Sequence, residues 1–254
     1  MSAPLERTPS SSSPLRSVVV AVVVAVLGIA TGTGLVLGSL TAVQASGIQI
    51  TPLGFVVASL VLLQGVAFGG VALGYLRYRG LPTSYLGVRV PSIQDVGAVV
   101  VAYVVAIGVA ISGAIAVSLS GVQAGSNQAA ELGAENPEVL LLLIPASFLI
   151  IGPGEELLFR GVVQNRLRET FSPVPGIAIA SAIFAAVHFV ALSGGTGARL
   201  VSIVILFFPS LVFGAVYEYT ENLVVPSLVH GAYNATLFTL LYVAIRFGGM
   251  QPPT

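Results

Sequence analysis

Two adjacent glutamates, Glu155 and Glu156, follow a strongly apolar run, where a carboxylate is costly to place. Glu156 and Arg160 are four residues apart, so on a helix they share a face and can form an ion pair. Glu155 points about 100° away from that face. One carboxylate is therefore held by arginine, while the other is free to take a proton. The alternative interpretation is an ordinary helix end whose charges are solvated.

The two histidines of the chain, His188 and His230, lie in further apolar segments. His188 ends the stretch that begins at Phe184, and His230 is followed four residues later by Asn234. Taken singly, each is explained by hydrogen bonding between helices. Taken with the glutamates, these residue types indicate hydrolysis, because a glutamate can activate water and a histidine or asparagine can donate to an oxyanion.

The same residue types are also typical of a metal site. Two histidines and one glutamate bind zinc in known catalytic centres, and here the candidate ligands are Glu155, His188 and His230. The helix signature in which two histidines flank a glutamate is absent, and no cysteine is present to supply thiolates, disulfides or a nucleophile. Metal-bound water and glutamate-activated water both stay open, with a divalent metal such as zinc as the only candidate cofactor.

These residues must be positioned by a membrane-embedded fold. The chain of 254 residues is 56% hydrophobic and 8% charged, against about 25% charged in soluble domains. A bilayer core requires about 20 apolar residues per helix. Seven segments meet or approach that length: 18–43, 50–76, 96–119, 138–168, 174–193, 199–219 and 223–247. The sequence thus predicts an all-α, polytopic transmembrane bundle.

The domain organisation follows from the same pattern. Residues 1–17 are rich in Ser and Pro, which predicts a short disordered tail, and 18–254 form one bundle with the catalytic motifs at about 138–240. The first apolar run is too long for a cleaved signal peptide. The balanced net charge gives no indication of a nucleic-acid partner.

Arginine placement predicts the orientation of the bundle. If the spans alternate, most arginines fall on the side of the N-terminus, whereas Arg199, Arg246 and an acidic loop fall on the other. We therefore expect a multi-pass protein of the cell membrane with a cytoplasmic tail. At 1.5 Å per residue, Glu156 and His188 lie roughly 23–26 Å from the turn near Phe171, and His230 lies roughly 12 Å from the turn near Glu221. The three polar clusters share one depth if the first hairpin protrudes from the bilayer by about two helical turns.

The three clusters resemble the CAAX protease and bacteriocin-processing (CPBP) family of intramembrane proteases, which includes the type II CAAX prenyl endopeptidases. The family pattern is Glu-Glu-x-x-x-Arg, then Phe-x-x-x-His, then His-x-x-x-Asn. This chain matches it in order and spacing. The matching stretches are Glu155 to Arg160, Phe184 to His188 and His230 to Asn234.

The resemblance implies an endopeptidase whose site faces the cytosol. Glu155 would activate water with help from His188, and Glu156 would assist through its pair with Arg160. His230 and Asn234 would stabilise the oxyanion, with Arg160 and Phe184 as structural support. Of the two mechanisms argued for the family, we favour the metal-free one. The implied partners are the lipid bilayer and a membrane-anchored or prenylated-type peptide or protein.

Two other functions fit parts of the sequence. A non-catalytic immunity or scaffold protein can use the same fold, since fold does not imply function. A proton-coupled transporter also uses intramembrane Glu and His, but its ionisable groups are spread across the bilayer, whereas these are expected near one face.

Overall fold

The computed structural model describes residues 13–248, and within that range the chain is helical with no named strand. We number its eight main helices in chain order. They are α1 (Pro14–Ala45), α2 (Pro52–Arg79), α3 (Ile93–Ser120), the short α4 (Gln128–Glu135), α5 (Pro137–Arg168), α6 (Pro173–Ala191), α7 (Thr196–Thr220) and α8 (Val224–Phe247). All except α4 are long and apolar enough to cross a membrane. The predicted all-α polytopic bundle of about seven spans is confirmed.

Helix boundaries follow from capping residues. Ser13 and Thr51 each accept a backbone N–H bond from the first turn of the helix they precede, and a proline follows each at the first helical position. Helix α1 starts at Pro14, inside the stretch predicted as tail. The rest of that prediction, residues 1–12, lies outside the described residues.

Much apolar surface faces outward from the bundle. In the most apolar 18-residue stretch of α3, only 11% of the residues are buried. Large side chains such as Val101 and Val104 are more than half exposed. Water would oppose such a surface, because exposed apolar patches of this extent are rare on soluble proteins. Lipid is the solvent that fits this face.

Helix α5 is irregular around its two glutamates. The segment Gly152–Leu158 lies between two π-helical stretches, Ser147–Ile151 and Phe159–Gln164. Pro153 contributes to the irregularity because it lacks the N–H that a regular helix requires. Such π insertions are often found at functional sites, since they change the direction in which side chains point.

Glycines let α5 touch two neighbouring helices with its backbone. A Cβ on Gly152 would lie 2.6 Å from the carbonyl oxygen of Ser227 on α8. A Cβ on Gly154 would lie 2.3 Å from the carbonyl oxygen of Gln64 on α2. Only glycine permits these approaches, so the glutamates that follow are fixed between α2 and α8.

The hairpin between α5 and α6 packs against the end of α2. Glu169 accepts hydrogen bonds from Arg79, at 3.2 Å, and from the phenol of Tyr85, at 3.0 Å, and it pairs with Arg166. Burial and the nearby carboxylate of Glu169 raise the pKa of Tyr85, so its phenol stays a neutral donor. These polar contacts form a packed network that anchors the hairpin.

Candidate active site

Four of the predicted site residues meet at the junction of α5, α6 and α8. The Oε2 atom of Glu155 lies 3.8 Å from Nε2 of His188 and 3.7 Å from Nε2 of His230. Glu156 Oε1 lies 2.8 Å from Nδ1 of His230. Glu155, Glu156 and His230 are buried, whereas the His188 side chain is 20% exposed. His188 thus forms the accessible edge of the cluster.

Glu156 and Arg160 form a fully buried ion pair. Arg160 Nη1 donates to Glu156 Oε1 at 2.9 Å, and Nη2 donates to the hydroxyl and the carbonyl oxygen of Ser210 on α7. The guanidinium also lies over the rings of Phe184 and Phe213, 4.6 and 5.6 Å from their centroids. These contacts satisfy a charge that would otherwise be very costly to bury.

The Nδ1 atoms of the two histidines are both occupied by acceptors. His188 Nδ1 lies 2.7 Å from the carbonyl oxygen of Phe184, which can only accept, so Nδ1 carries the proton. His230 Nδ1 donates in the same way to the carboxylate of Glu156. In a neutral imidazole the other nitrogen is then an acceptor. Both Nε2 lone pairs therefore face Glu155.

Three acceptor atoms converge as a result. Glu155 Oε2 is buried and has no hydrogen-bond partner among residues 13–248, and the two Nε2 atoms lie just beyond hydrogen-bond distance from it. Acceptors repel one another unless a proton or a donor lies among them. The cluster therefore requires a shared proton, a hydrogen-bond donor such as water, or a cation at this point.

Aromatic rings hold the histidines in place. The ring of His230 stacks on Phe213 of α7, with centroids 4.8 Å apart, and meets Phe184 edge-on at 5.8 Å. Phe184, predicted as structural support, contacts His188 as well, with ring centroids 4.6 Å apart. Because Phe184 also lies under Arg160, it connects the histidines with the ion pair.

Comparisons with known proteins identify a family that part of the chain resembles. Residues 137–236 match the family described as type II CAAX prenyl endopeptidase Rce1-like. This part of the chain is similar to that family. The resemblance predicted from the three motifs is thereby confirmed, and with its seven apolar helices the chain is a multi-pass membrane protein.

A curated relative matches the chain over a shorter stretch. The relative is named "Uncharacterized protein YpbD", from Bacillus subtilis (strain 168), and is 39% identical over 82 residues. The matched stretch covers 32% of this chain and 36% of the relative, so the chain spans about a third of that protein's length. No solved structure matches the chain.

Asn234 lies outside the hydrogen-bonded cluster of the candidate site. It follows His230 by one turn of α8, is partly exposed, and makes no side-chain hydrogen bond within residues 13–248. Its amide is therefore available as a donor to a bound molecule.

Sequence reasoning missed three contributors to this site. Gln64 Nε2 on α2 donates to Glu155 Oε1 at 2.8 Å, and Ser210 and Phe213 on α7 hold Arg160 and His230. Gln64 carried a usable signal, because it is the one amide side chain in the apolar α2. Ser210 and Phe213 carried none, since serine and phenylalanine are common in apolar helices.

Among the described residues, the predicted metal ligands are not arranged as a preformed metal site. Zinc bonds of 2.0–2.1 Å in a tetrahedron place neighbouring donor atoms about 3.4 Å apart. The separations from Glu155 Oε2 are 3.7 and 3.8 Å, and no group of three or more His, Asp or Glu in the described part of the chain is suited to hold a metal ion. We therefore derive no step through a metal.

Proposed function

We propose that the protein is an intramembrane endopeptidase that hydrolyses a peptide bond by glutamate-activated water. The convergence of Glu155 Oε2 with two histidine Nε2 atoms carries the proposal. A water molecule there donates to Glu155 and approaches His188, the accessible edge of the cluster. The Rce1-like match supports protease activity of the CAAX type in general.

The charge of the site supports this assignment. Glu155 and Glu156 carry two negative charges and Arg160 carries one positive charge, so one additional proton makes the buried cluster neutral. Neutrality is strongly favoured at such depth. A proton on His230 is well placed, because its Nδ1–H then donates to Glu156 and its Nε2–H faces Glu155 and the substrate.

Hydrolysis then proceeds by proton transfers among these residues. Glu155 removes a proton from water as the water oxygen attacks the peptide carbonyl, and His188 Nε2 accepts a hydrogen bond from that water. Glu155 next delivers the proton to the leaving nitrogen. The carbon–nitrogen bond breaks, and the proton left on the new carboxylic acid passes to the released amine, so the products are a carboxylate and an ammonium group.

The developing oxyanion is stabilised by two donors. Protonated His230 presents Nε2–H, held in place by Glu156 as in other carboxylate–histidine pairs. The free amide of Asn234, one turn further along α8, presents the second donor. Glu156 and Arg160 do not touch substrate in this scheme and position His230.

The proposed substrate is membrane-associated, because the site lies between apolar helices. A prenylated-type peptide is the first probe to use, given the family that residues 137–236 match. We also propose that the N-terminus is cytoplasmic. The arginine-rich ends of α2 and α5, with Arg77, Arg79, Arg166 and Arg168, lie on that side.

The test uses an internally quenched farnesylated CAAX peptide and the purified protein in vesicles of known orientation. We expect cleavage only when the peptide reaches the arginine-rich side, with the bond identified by mass spectrometry. The same peptide without farnesyl measures the lipid requirement. Absence of cleavage of both peptides, and of membrane-protein substrates in a peptidomic comparison of cells with and without the protein, would favour the non-catalytic alternative.

Chelation should leave the peptidase active. Because the proposed step uses water activated by Glu155 and no metal, we expect unchanged turnover in EDTA or 1,10-phenanthroline. Metal analysis of the purified protein should find well below one equivalent of zinc. Turnover that is lost with chelator and returns with zinc would contradict this mechanism.

A further inference from the structure

Gln64 on α2 is the one polar side chain that reaches Glu155 from outside the three motifs among the described residues. Its Nε2 donates to Glu155 Oε1 at 2.8 Å, across 91 positions of sequence. Its Oε1 is buried and accepts no hydrogen bond from residues 13–248. An amide in an apolar helix is costly unless it has a function.

We propose that Gln64 is a positioning residue for Glu155, an inference that rests on the proposed function. By binding Oε1, the Gln64 amide fixes rotation about the last bond of the carboxyl group. Oε2 is then left facing His188 and His230, where water is activated. Without this bond the carboxylate can rotate, and the acceptor that takes the proton is no longer held in position.

An amide suits this position better than a cation or an apolar side chain. Glu155 alternates between an ionised and a protonated form during hydrolysis. Gln64 can donate N–H to the ionised form and, with the amide reversed, accept O–H from the protonated form. A lysine would bind the ionised form alone and hold the proton-accepting group as a fixed ion pair.

The backbone of α2 is placed for this role by Gly154. Gly154 comes directly before Glu155 in α5. A Cβ added at Gly154 would lie 2.3 Å from the carbonyl oxygen of Gln64. Gln64 also lies within the π-helical stretch Leu60–Ala67, which alters the direction of its side chain. The close approach of α2 and α5 and the amide contact are thus one arrangement.

Two different substitutions should therefore have the same effect. Gln64→Leu removes the amide. Gly154→Ala keeps the amide but pushes α2 away from α5. Each should lower kcat by about 10–100-fold, as for other residues that orient an active group, with KM little changed. The double variant should be no worse than either single variant, because residues acting on one contact are not additive.

The controls are matched to these changes. Gly69 lines a groove between α2 and α5. The Cβ added in Gly69→Ala meets no atom within 4 Å, so kcat should not change. Gln164→Leu removes another buried amide, one that donates to the carbonyl oxygen of Gly214. This variant should lower the thermal unfolding midpoint without moving the carboxyl signal of Glu155.

Infrared spectroscopy tests the contact without turnover. The Glu155 band is identified as the one lost in Glu155→Gln, and we expect it to shift in Gln64→Leu and Gly154→Ala but not in Gly69→Ala. An unshifted band in folded Gln64→Leu overturns the inference whether or not the protein is a peptidase. Fully additive losses of kcat would overturn it as well. Absence of cleavage with the expected band shifts would overturn the proposed function alone.

Discussion

Glu155→Gln should lower the rate of peptide hydrolysis by about 10³-fold, within the range that a general base contributes. The amide is nearly isosteric with the carboxyl group but cannot take a proton from water. It keeps the contact with Gln64 and supplies an N–H donor to the His188 and His230 acceptors. We therefore expect wild-type thermal stability in detergent by circular dichroism, with KM for the quenched farnesylated peptide little changed.

Glu138→Gln is the matched control for this prediction. It makes the same change on the same helix, at an exposed position in the first turn of α5, and should leave hydrolysis unchanged. A folded Glu155→Gln protein with full turnover would exclude Glu155 as the base. His188→Gln would then be the next variant to assay, because His188 is the other acceptor at the accessible edge.

Arg160→Met should destabilise the protein more than any other single substitution at the site. Removing the guanidinium leaves the carboxylate of Glu156, which is 0% exposed, without its cation. Breaking a buried pair in this way costs about 3–5 kcal/mol. The unfolding midpoint in detergent should fall strongly, and hydrolysis should be lost because Glu156 no longer holds His230 in a neutral cluster.

A double variant separates the charge from the packing. Arg160→Met with Glu156→Gln removes both charges and should recover part of the lost stability, because no uncompensated ion remains. It should not recover turnover, since the neutral amide stabilises protonated His230 poorly. Arg77→Met, at an exposed position near the end of α2, should change stability by at most about 0.5 kcal/mol. A stable Arg160→Met protein would show that Glu156 is protonated in the fold.

The sequence by itself determined the fold class and the set of polar residues. Seven apolar runs specify seven helices, because a backbone in lipid must satisfy its hydrogen bonds within a helix. The costs of burying Glu, His and Arg also made Glu155, Glu156, Arg160, His188 and His230 stand out. The spacing of Glu156 and Arg160 was sufficient to predict their pair, since that contact is local to one helix.

Only the tertiary structure decided how these residues face one another. The direction of each Nε2 atom depends on what its Nδ1 partner is, and for His230 that partner, Glu156, lies 74 positions away. Asn234 matched the family pattern but lies outside the hydrogen-bonded cluster. No local pattern reports such contacts, because they depend on how helices rotate against one another.

Gln64 shows most clearly the difference between what the sequence determines and what the tertiary structure decides. The sequence marks it as an amide in an apolar helix, but its partner follows from Gly154, whose missing side chain lets α2 approach α5. The π-helical stretches on both helices then set the direction of the two side chains. Composition and periodicity therefore determined which groups are buried in this protein. Backbone contacts between distant helices decided which oxygen of Glu155 is held and which one faces the histidines.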